Sequence, residues 1–193
     1  MVTGNFIMRT GLTRTCLPRA LVTLLLAGML AACSSAPPDG LTAVKDFDIN
    51  RYTGRWYEIA RLDHRFERGL SNVTADYALQ DDNSVRVLNR GYDENEQQWD
   101  EAEGRAKFVG DPDQGSLKVS FFGPFYGGYH VIALDHDHYQ WAMVSGPTRD
   151  YLWILAREPI LDTDVYDTLL AQARAGGFPL DELIEVDQQR HLP

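Results

Sequence analysis

Between residues 54 and 157 apolar and polar side chains alternate in short runs, separated by clusters of Gly, Pro, Asp and Asn. Val73, Ala75, Tyr77 and Leu79 alternate with small or polar neighbours before the turn Asp81-Asp82-Asn83. Val85, Val87 and Leu88 begin a second run that ends at Asp93-Glu94-Asn95-Glu96, and residues 99–109 alternate up to Gly110-Asp111-Pro112-Asp113. Together with residues 55–62, 117–122, 129–134, 139–145 and 151–157 this predicts eight strands. A strand turns successive side chains to opposite faces, and the intervening residue types interrupt strands. The links are short, so neighbouring strands must be antiparallel, because a parallel pair needs a long crossover. A meander of this size closes into an up-and-down barrel able to hold one small ligand; periodicity alone leaves a sandwich as the alternative.

The period then changes. Tyr166, Leu169, Leu170 and Ala173 form a helical stripe between a capping Asp162 or Thr163 and the stop Gly176-Gly177. A lone amphipathic helix after a barrel must lay that stripe on the outer wall. Residues 183–186 read as a last short strand, pairing at the edge near the first. The predicted fold class is all-β: an eight-stranded antiparallel barrel with one C-terminal α-helix packed outside.

The amino-terminal segment has another character. Arg9, Arg14 and Arg19, with no acidic residue, precede an apolar run over residues 20–30. This is a secretory signal, starting at Met1 or Met8, with a core too short to anchor permanently in a bilayer. Leu30-Ala31-Ala32-Cys33 resembles the bacterial lipobox. The resemblance implies diacylation of Cys33, cleavage before it and acylation of the new amino terminus; an ordinary signal with an adventitious cysteine is the alternative. Three acyl chains, at ~0.8 kcal/mol per methylene, make a lasting anchor. Ser34, where an aspartate would resemble an inner-membrane retention signal, points to the outer membrane, with the domain in the periplasm.

Cys16 leaves with the signal and Cys33 carries lipid, so the domain has no disulfide and must be held by its core. The expected organisation is a signal over 1–32, a lipidated cysteine and flexible, Pro-rich tether over 33–46, and one domain over 47–193. Loss of the signal takes the net charge from −10 to −13, since the signal holds three arginines and no acid. That balance argues against nucleic acid as a partner.

Gly54-Arg55-Trp56-Tyr57 resembles the G-x-W-Y signature of lipocalins, and Arg157 matches the arginine of that family's third block. Leu134-Asp135-His136 stands where the second block usually reads Thr-Asp-Tyr and departs from it at two positions. Residues 56–70, 118–134 and 150–156 are similar to the bacterial outer-membrane lipocalins in particular. The resemblance implies that Trp56 closes the barrel floor under Arg157, with Gly54 at the strand's start. Strand parity then turns Glu58 and Ala60 inward, and likewise Tyr151, Trp153 and Leu155. The family register implies that Tyr129, Val131, Ala133, Gln140, Ala142 and Val144 face inward, and that Trp141 and Met143 lie outside under the helix.

Such an interior is apolar and aromatic, which suits an acyl chain. Glu58 must be paired or neutral there, serving either structure or a ligand's end group. Residues 63–70 form the long first connection, which in lipocalins crosses the open mouth. Phe66 and Leu70 would close over a chain, and Arg65 and Arg68 would meet an emerging phosphate with forked donors, or else pair with Glu67 and Asp63. The aromatic loop over residues 121–128 belongs at the closed end or serves as a contact surface for a membrane or a partner subunit, which leaves a homodimer open.

His136-Asp137-His138 has a spacing compatible with a metal but no third or fourth ligand beside it, so no metal is expected. No cofactor and no catalytic residue is expected: there is no nucleophile in a strained turn, no phosphate loop and no cysteine in the mature domain. The resemblance implies a lipid binder, for fatty acid or lysophospholipid, acting in storage, transport or salvage during envelope stress. The alternatives are a carrier of haem or another hydrophobic molecule, for which haem would need a histidine inside the barrel, and an interaction module that binds no ligand.

Overall fold

The computed structural model describes residues 35–190; the signal segment and Cys33 lie outside the described residues. A short helix α1 (Ile49–Tyr52) leads into the strands β1 (Gly54–Leu62), β2 (Leu70–Leu79), β3 (Val85–Asp93) and β4 (Gln98–Phe108). These are followed by β5 (Ser116–Ser120), β6 (Gly127–Leu134), β7 (Trp141–Ser145) and β8 (Leu152–Ala156), then by helix α2 (Thr163–Ala175) and a short β9 (Leu183–Glu185). Consecutive strands pair antiparallel from β2 to β8, β8 pairs with β1, and β1 pairs back with β2, closing eight strands into a barrel. The meander predicted from alternation is the observed architecture.

Closure is not uniform. Gly54–Tyr57 pairs with β2, whereas Ala60–Leu62 pairs with β9. Where β1 and β2 part, the carboxy-terminal segment fills the seam. The Gln188 amide donates to the carbonyls of Glu58 (2.8 Å) and Val73 (2.9 Å), and the Asn72 N–H donates to Asp187 O at 2.7 Å. Backbone groups that would otherwise be orphaned are thereby satisfied.

Two bulges decide which side chains enter the barrel. In β1 the register with β8 slips between Glu58 and Ala60, and in β6 the register with β7 slips between Val131 and Ala133. An extra residue reverses parity beyond it. Ala60 is therefore a correction to the sequence reading: it packs outside, against Leu62, Ile154 and Leu169, and Arg61 takes the inward position opposite Trp153. Ala133 likewise faces out, and Leu134 faces in.

Two apolar clusters follow. One fills the barrel around Trp56, Val85, Val87, Val131 and Leu155. The other lies between the wall and α2, where Leu169 and Ala173 are fully buried against Met143, Leu152 and Ile154. Asp162 caps α2 by accepting from Asp164 N and Val165 N, and Gly177 at φ +79° follows its end. Trp141 and Met143 lie under this helix, as expected.

Residues 38–46, expected within the flexible tether, are docked. Val44 N donates to Val131 O at 2.8 Å, its carbonyl accepts from Gly115 N at 2.9 Å, and Leu41 packs in the cluster under α2. Composition describes a segment's intrinsic stiffness, whereas apolar residues such as Leu41 and Val44 decide where it binds.

Candidate functional site

The floor is built first. Trp56 has no exposed surface; its Nε1–H donates to Tyr52 O at 2.8 Å, and its ring lies 4.7 Å from that of Tyr52. The Arg157 guanidinium sits 4.0 Å over the Trp56 ring and donates to the carbonyls of Arg51 (2.7 Å), Arg55 (2.8 Å) and Tyr139 (3.2 Å). Gly54 has φ +92°, a conformation that L side chains rarely adopt, so the backbone here calls for glycine; a Cβ would make only ordinary contact, 3.4 Å, with the guanidinium. Arg157, Trp56 and α1 thus close one end.

Above the floor, Val131, Ala142 and Val144 face inward as expected but are wholly covered by neighbours. Ala142 pairs with Leu155 and Val144 with Trp153, so the packed wall rises along one side of the barrel. Val119, Phe121, Tyr129 and Trp153 also pack on the barrel cluster and stay partly exposed, so they form an apolar, aromatic lining that their neighbours do not fully cover. The Tyr129 hydroxyl bridges those of Tyr52 (2.7 Å) and Tyr77 (2.9 Å). Burial pushes all three phenols up, which keeps them protonated. Three hydroxyl protons share two mutual bonds, which leaves one donor for a further acceptor.

The mouth holds a buried ionic cluster that the sequence reading largely missed. Arg61, 2% exposed, donates to Glu58 Oε1 at 2.7 Å and to the carbonyls of Glu67 (2.7 Å) and Leu70 (3.1 Å). Glu67 Oε2 accepts from Trp153 Nε1 at 3.0 Å and lies 3.0 Å from His64 Nε2. The His64 ring packs near Trp153 and Tyr151. Arg61 therefore ties the connection over residues 63–69 across the barrel opening. The signal that would have found it is a charged residue of β1 whose parity depends on the bulge.

Burial pushes the Glu58 carboxyl well above the usual carboxylate range, and the neighbouring Glu67 charge acts the same way; Arg61 offsets only part. For Glu67, burial also acts upward, but the hydrogen bond and charge of His64, the Trp153 bond and the Arg61 charge together hold it below its ordinary value. Glu58 thus binds its proton more tightly folded than unfolded. Its contribution is complete below the ordinary carboxylate range and is lost as pH rises through the raised value. Glu67 contributes in the opposite sense, losing its effect as pH falls through its depressed value. In a carbon-detected NMR titration the Glu58 carboxyl is expected to titrate above Glu67, and Glu67→Gln is expected to bring Glu58 downward. Titration of both carboxyls together in the ordinary range would contradict this arrangement.

Phe66, Arg65 and Arg68 do not converge over the mouth, and Arg68 takes its alternative partner, Asp63. Phe66 is 58% exposed with its ring against His64, because His64 and Glu67 take the inward positions of the connection. Arg68 gives a forked pair of bonds to Asp63 (3.0 and 2.6 Å), and Arg65 lies 4.9 Å over the Phe66 ring. No contact joins the two arginines in a common head-group cradle. Tyr151 stacks on Trp153 at the rim. In the turn after β6, the carbonyls of His136 and Asp137 accept from Arg51, and among the described residues no group of metal-ligating side chains converges. Two depressions of about 260 and 340 Å³ lie outside the barrel; the first is lined by Arg86, Glu103 and Arg105, the second by Pro38 and Arg149.

A family described as a lipocalin-like domain matches residues 47–188. Outer membrane lipoprotein Blc of Citrobacter freundii is 55% identical over 163 residues, covering 84% of this chain and 92% of that protein. Its namesake of Vibrio cholerae is 48% identical over 171 residues, covering 89% and 99%. The solved structure of insecticyanin from the tobacco hornworm superposes with TM-score 0.62 at 21% identity, covering 79% of this chain and 86% of that one, a likeness of fold alone.

Proposed function

The chain belongs to the lipocalin-like family, and we propose that it is an outer-membrane lipoprotein carrying a single-chain lipid, fatty acid or lysophospholipid, in the upper half of its barrel. Lipocalins bind hydrophobic small molecules and are binding and transport proteins rather than enzymes. The relatives named as outer membrane lipoproteins support the same location for this chain.

The observation that carries the reading is this incompletely covered aromatic lining, the recess in which we place the acyl chain. Val119, Phe121, Tyr129 and Trp153 offer an apolar, partly accessible lining, bordered by packed side chains and by the ionic cluster of Glu58, Arg61 and Glu67. An acyl chain removes apolar surface from water there at roughly 25 cal/mol per Å². The recess suits storage, transport or salvage of lipid released during envelope stress. Among inward positions the described residues offer no histidine facing the recess other than His64, which is engaged with Glu67, so haem is the weaker reading.

Cys33 is the proposed attachment site. Cys33→Ser is expected to yield a soluble, folded chain that still binds a fluorescent fatty acid. Membrane association that survives a salt wash, with the signal cleaved, would remove the anchor assignment.

The head group is tested at Arg65 and Arg68. If a phosphate leaves the mouth beside them, it must compete with Asp63 for Arg68. Replacing both by glutamine is then expected to weaken lysophospholipid about tenfold more than a fatty acid of equal chain length, the scale of a screened charge-assisted bond. Added salt is expected to erode the same preference. Equal weakening for both ligands would mean that Arg68 and Asp63 only hold the connection.

A further inference from the structure

Four of the large apolar side chains that stand in solvent gather at one end of the barrel. Strands alternate in direction, so the connections after β1, β3, β5 and β7 share the open end. The loop after β5 exposes Phe122 (73%), Phe125 (80%) and Tyr126 (41%), and Phe66 on the connection after β1 stands across the mouth. Phe122 O accepts from Phe125 N in a turn, which presents both rings outward, and Lys118 Nζ lies 5.3 Å from the Tyr126 ring centroid. Monomeric surfaces seldom leave such a group uncovered. Exposed aromatics flanked by a lysine able to extend its ammonium into the head-group layer suit a bilayer interface.

The start of the described chain lies at the same end. Asp39 O accepts from Arg149 Nη2 at 2.7 Å, and Arg149 belongs to the connection after β7. The Arg149 Nε–H also donates to Gly176 O, which fixes that connection to the end of α2. The backbone of Ala36 meets the His130 side chain of β6, and Pro37 borders one surface depression together with Pro147 and Thr148 of the connection after β7. Only residues 34 and 35 therefore separate Cys33 from a docked position near the open rim. At ~3.3–3.6 Å per residue, that stretch cannot carry an acylated Cys33 around to the closed end.

We propose that the open rim is the face by which the domain sits on a phospholipid bilayer, with Phe122 and Phe125 seated in the interface beside the Cys33 anchor. This rests on the lipoprotein reading above. The aromatic loop, the connection bearing Phe66 and the start of the described chain lie at separate positions around the rim, and three contacts there would fix an orientation that one acylated residue would leave free. The mouth then opens onto the lipid source, and the ligand need not cross water.

The test uses the lipidated chain in vesicles of phosphatidylethanolamine and phosphatidylglycerol carrying a head-group nitroxide. Acylated Cys33 does not react with a thiol probe, so a cysteine placed by Glu96→Cys at the rim or by Asp81→Cys at the closed end is labelled selectively. Fluorescence at 96 is expected to be quenched and that at 81 spared. Phe122→Ser with Phe125→Ser is expected to reduce quenching at 96 about threefold or more by removing the apolar contact. Equal quenching at both positions, or quenching at 96 unchanged in the double variant, overturns the proposal. Unchanged quenching together with loss of a dimer in sedimentation would assign the patch to a second copy instead. Fatty-acid binding measured without vesicles is expected to be the same in the double variant. Failure of the unaltered chain to bind fatty acid would therefore remove the ligand reading, while the quenching pattern still decides docking.

Discussion

Trp56→Ala is expected to lower stability by about 3–5 kcal/mol, as truncation of a fully buried aromatic does. Trp56 contributes through several contacts at once: no exposed surface, an indole N–H on Tyr52 O, and the Arg157 guanidinium 4.0 Å over its ring. The cation–π contact alone is worth about 1–2 kcal/mol when partly desolvated. Removing the ring also frees Arg157, which holds three carbonyls of α1, β1 and the turn before β7, so the floor loosens as a unit. For a domain of this size the loss corresponds to roughly 6–20 °C in melting temperature. Fatty-acid affinity at a temperature where the variant is folded is expected to change little, because the recess lies in the upper half. An unchanged melting temperature would remove the floor assignment.

The second large effect is expected at Arg61. Arg61→Met leaves the neighbouring carboxyls of Glu58 and Glu67 without the positive charge between them and the carbonyls of Glu67 and Leu70 without their donor. Breaking a buried pair from one side costs about 3–5 kcal/mol, whereas replacing both partners with apolar groups can be nearly neutral. Arg61→Met is therefore expected to shift urea unfolding strongly, and Glu58→Leu in the same chain to recover much of the loss. The coupling between the two substitutions measures the pair. The single variant is also expected to raise amide exchange over residues 63–69, since Arg61 holds that connection. A small effect of Arg61→Met, with no recovery in the double variant, would mean that water already solvates the cluster.

The barrel, its turns and the outer helix were legible because each rests on a local rule. Alternation marks Val73 to Leu79, Asp81-Asp82-Asn83 marks a turn, and Asp162 and Gly176-Gly177 bracket the helix. Parity was legible only as far as the pleat runs unbroken. It holds for Trp56, Glu58 and Trp153 and fails at Ala60 and Ala133, each just past a bulge that only the pairing with the next strand reveals. The same bulge hid Arg61, and with it the reason why His64 and Glu67 turn in while Phe66 turns out. Composition misled at residues 38–46, where a Pro-rich opening reads as slack but Leu41 and Val44 find apolar walls. The aromatic loop over residues 121–128 was visible as a loop, but its place at the open end follows from counting strands in the closed sheet.

The central claim is that the upper barrel holds one single-chain lipid. Native mass spectrometry of the Cys33→Ser chain, purified without detergent and incubated with defined lipids, tests it most directly. The account predicts one bound fatty acid or lysophospholipid per chain, displaced by a competing fatty acid and weakened by Trp153→Ala, with no binding of two-chain phospholipid of equal chain length. Absence of any bound lipid, or binding that Trp153→Ala leaves untouched, would contradict it.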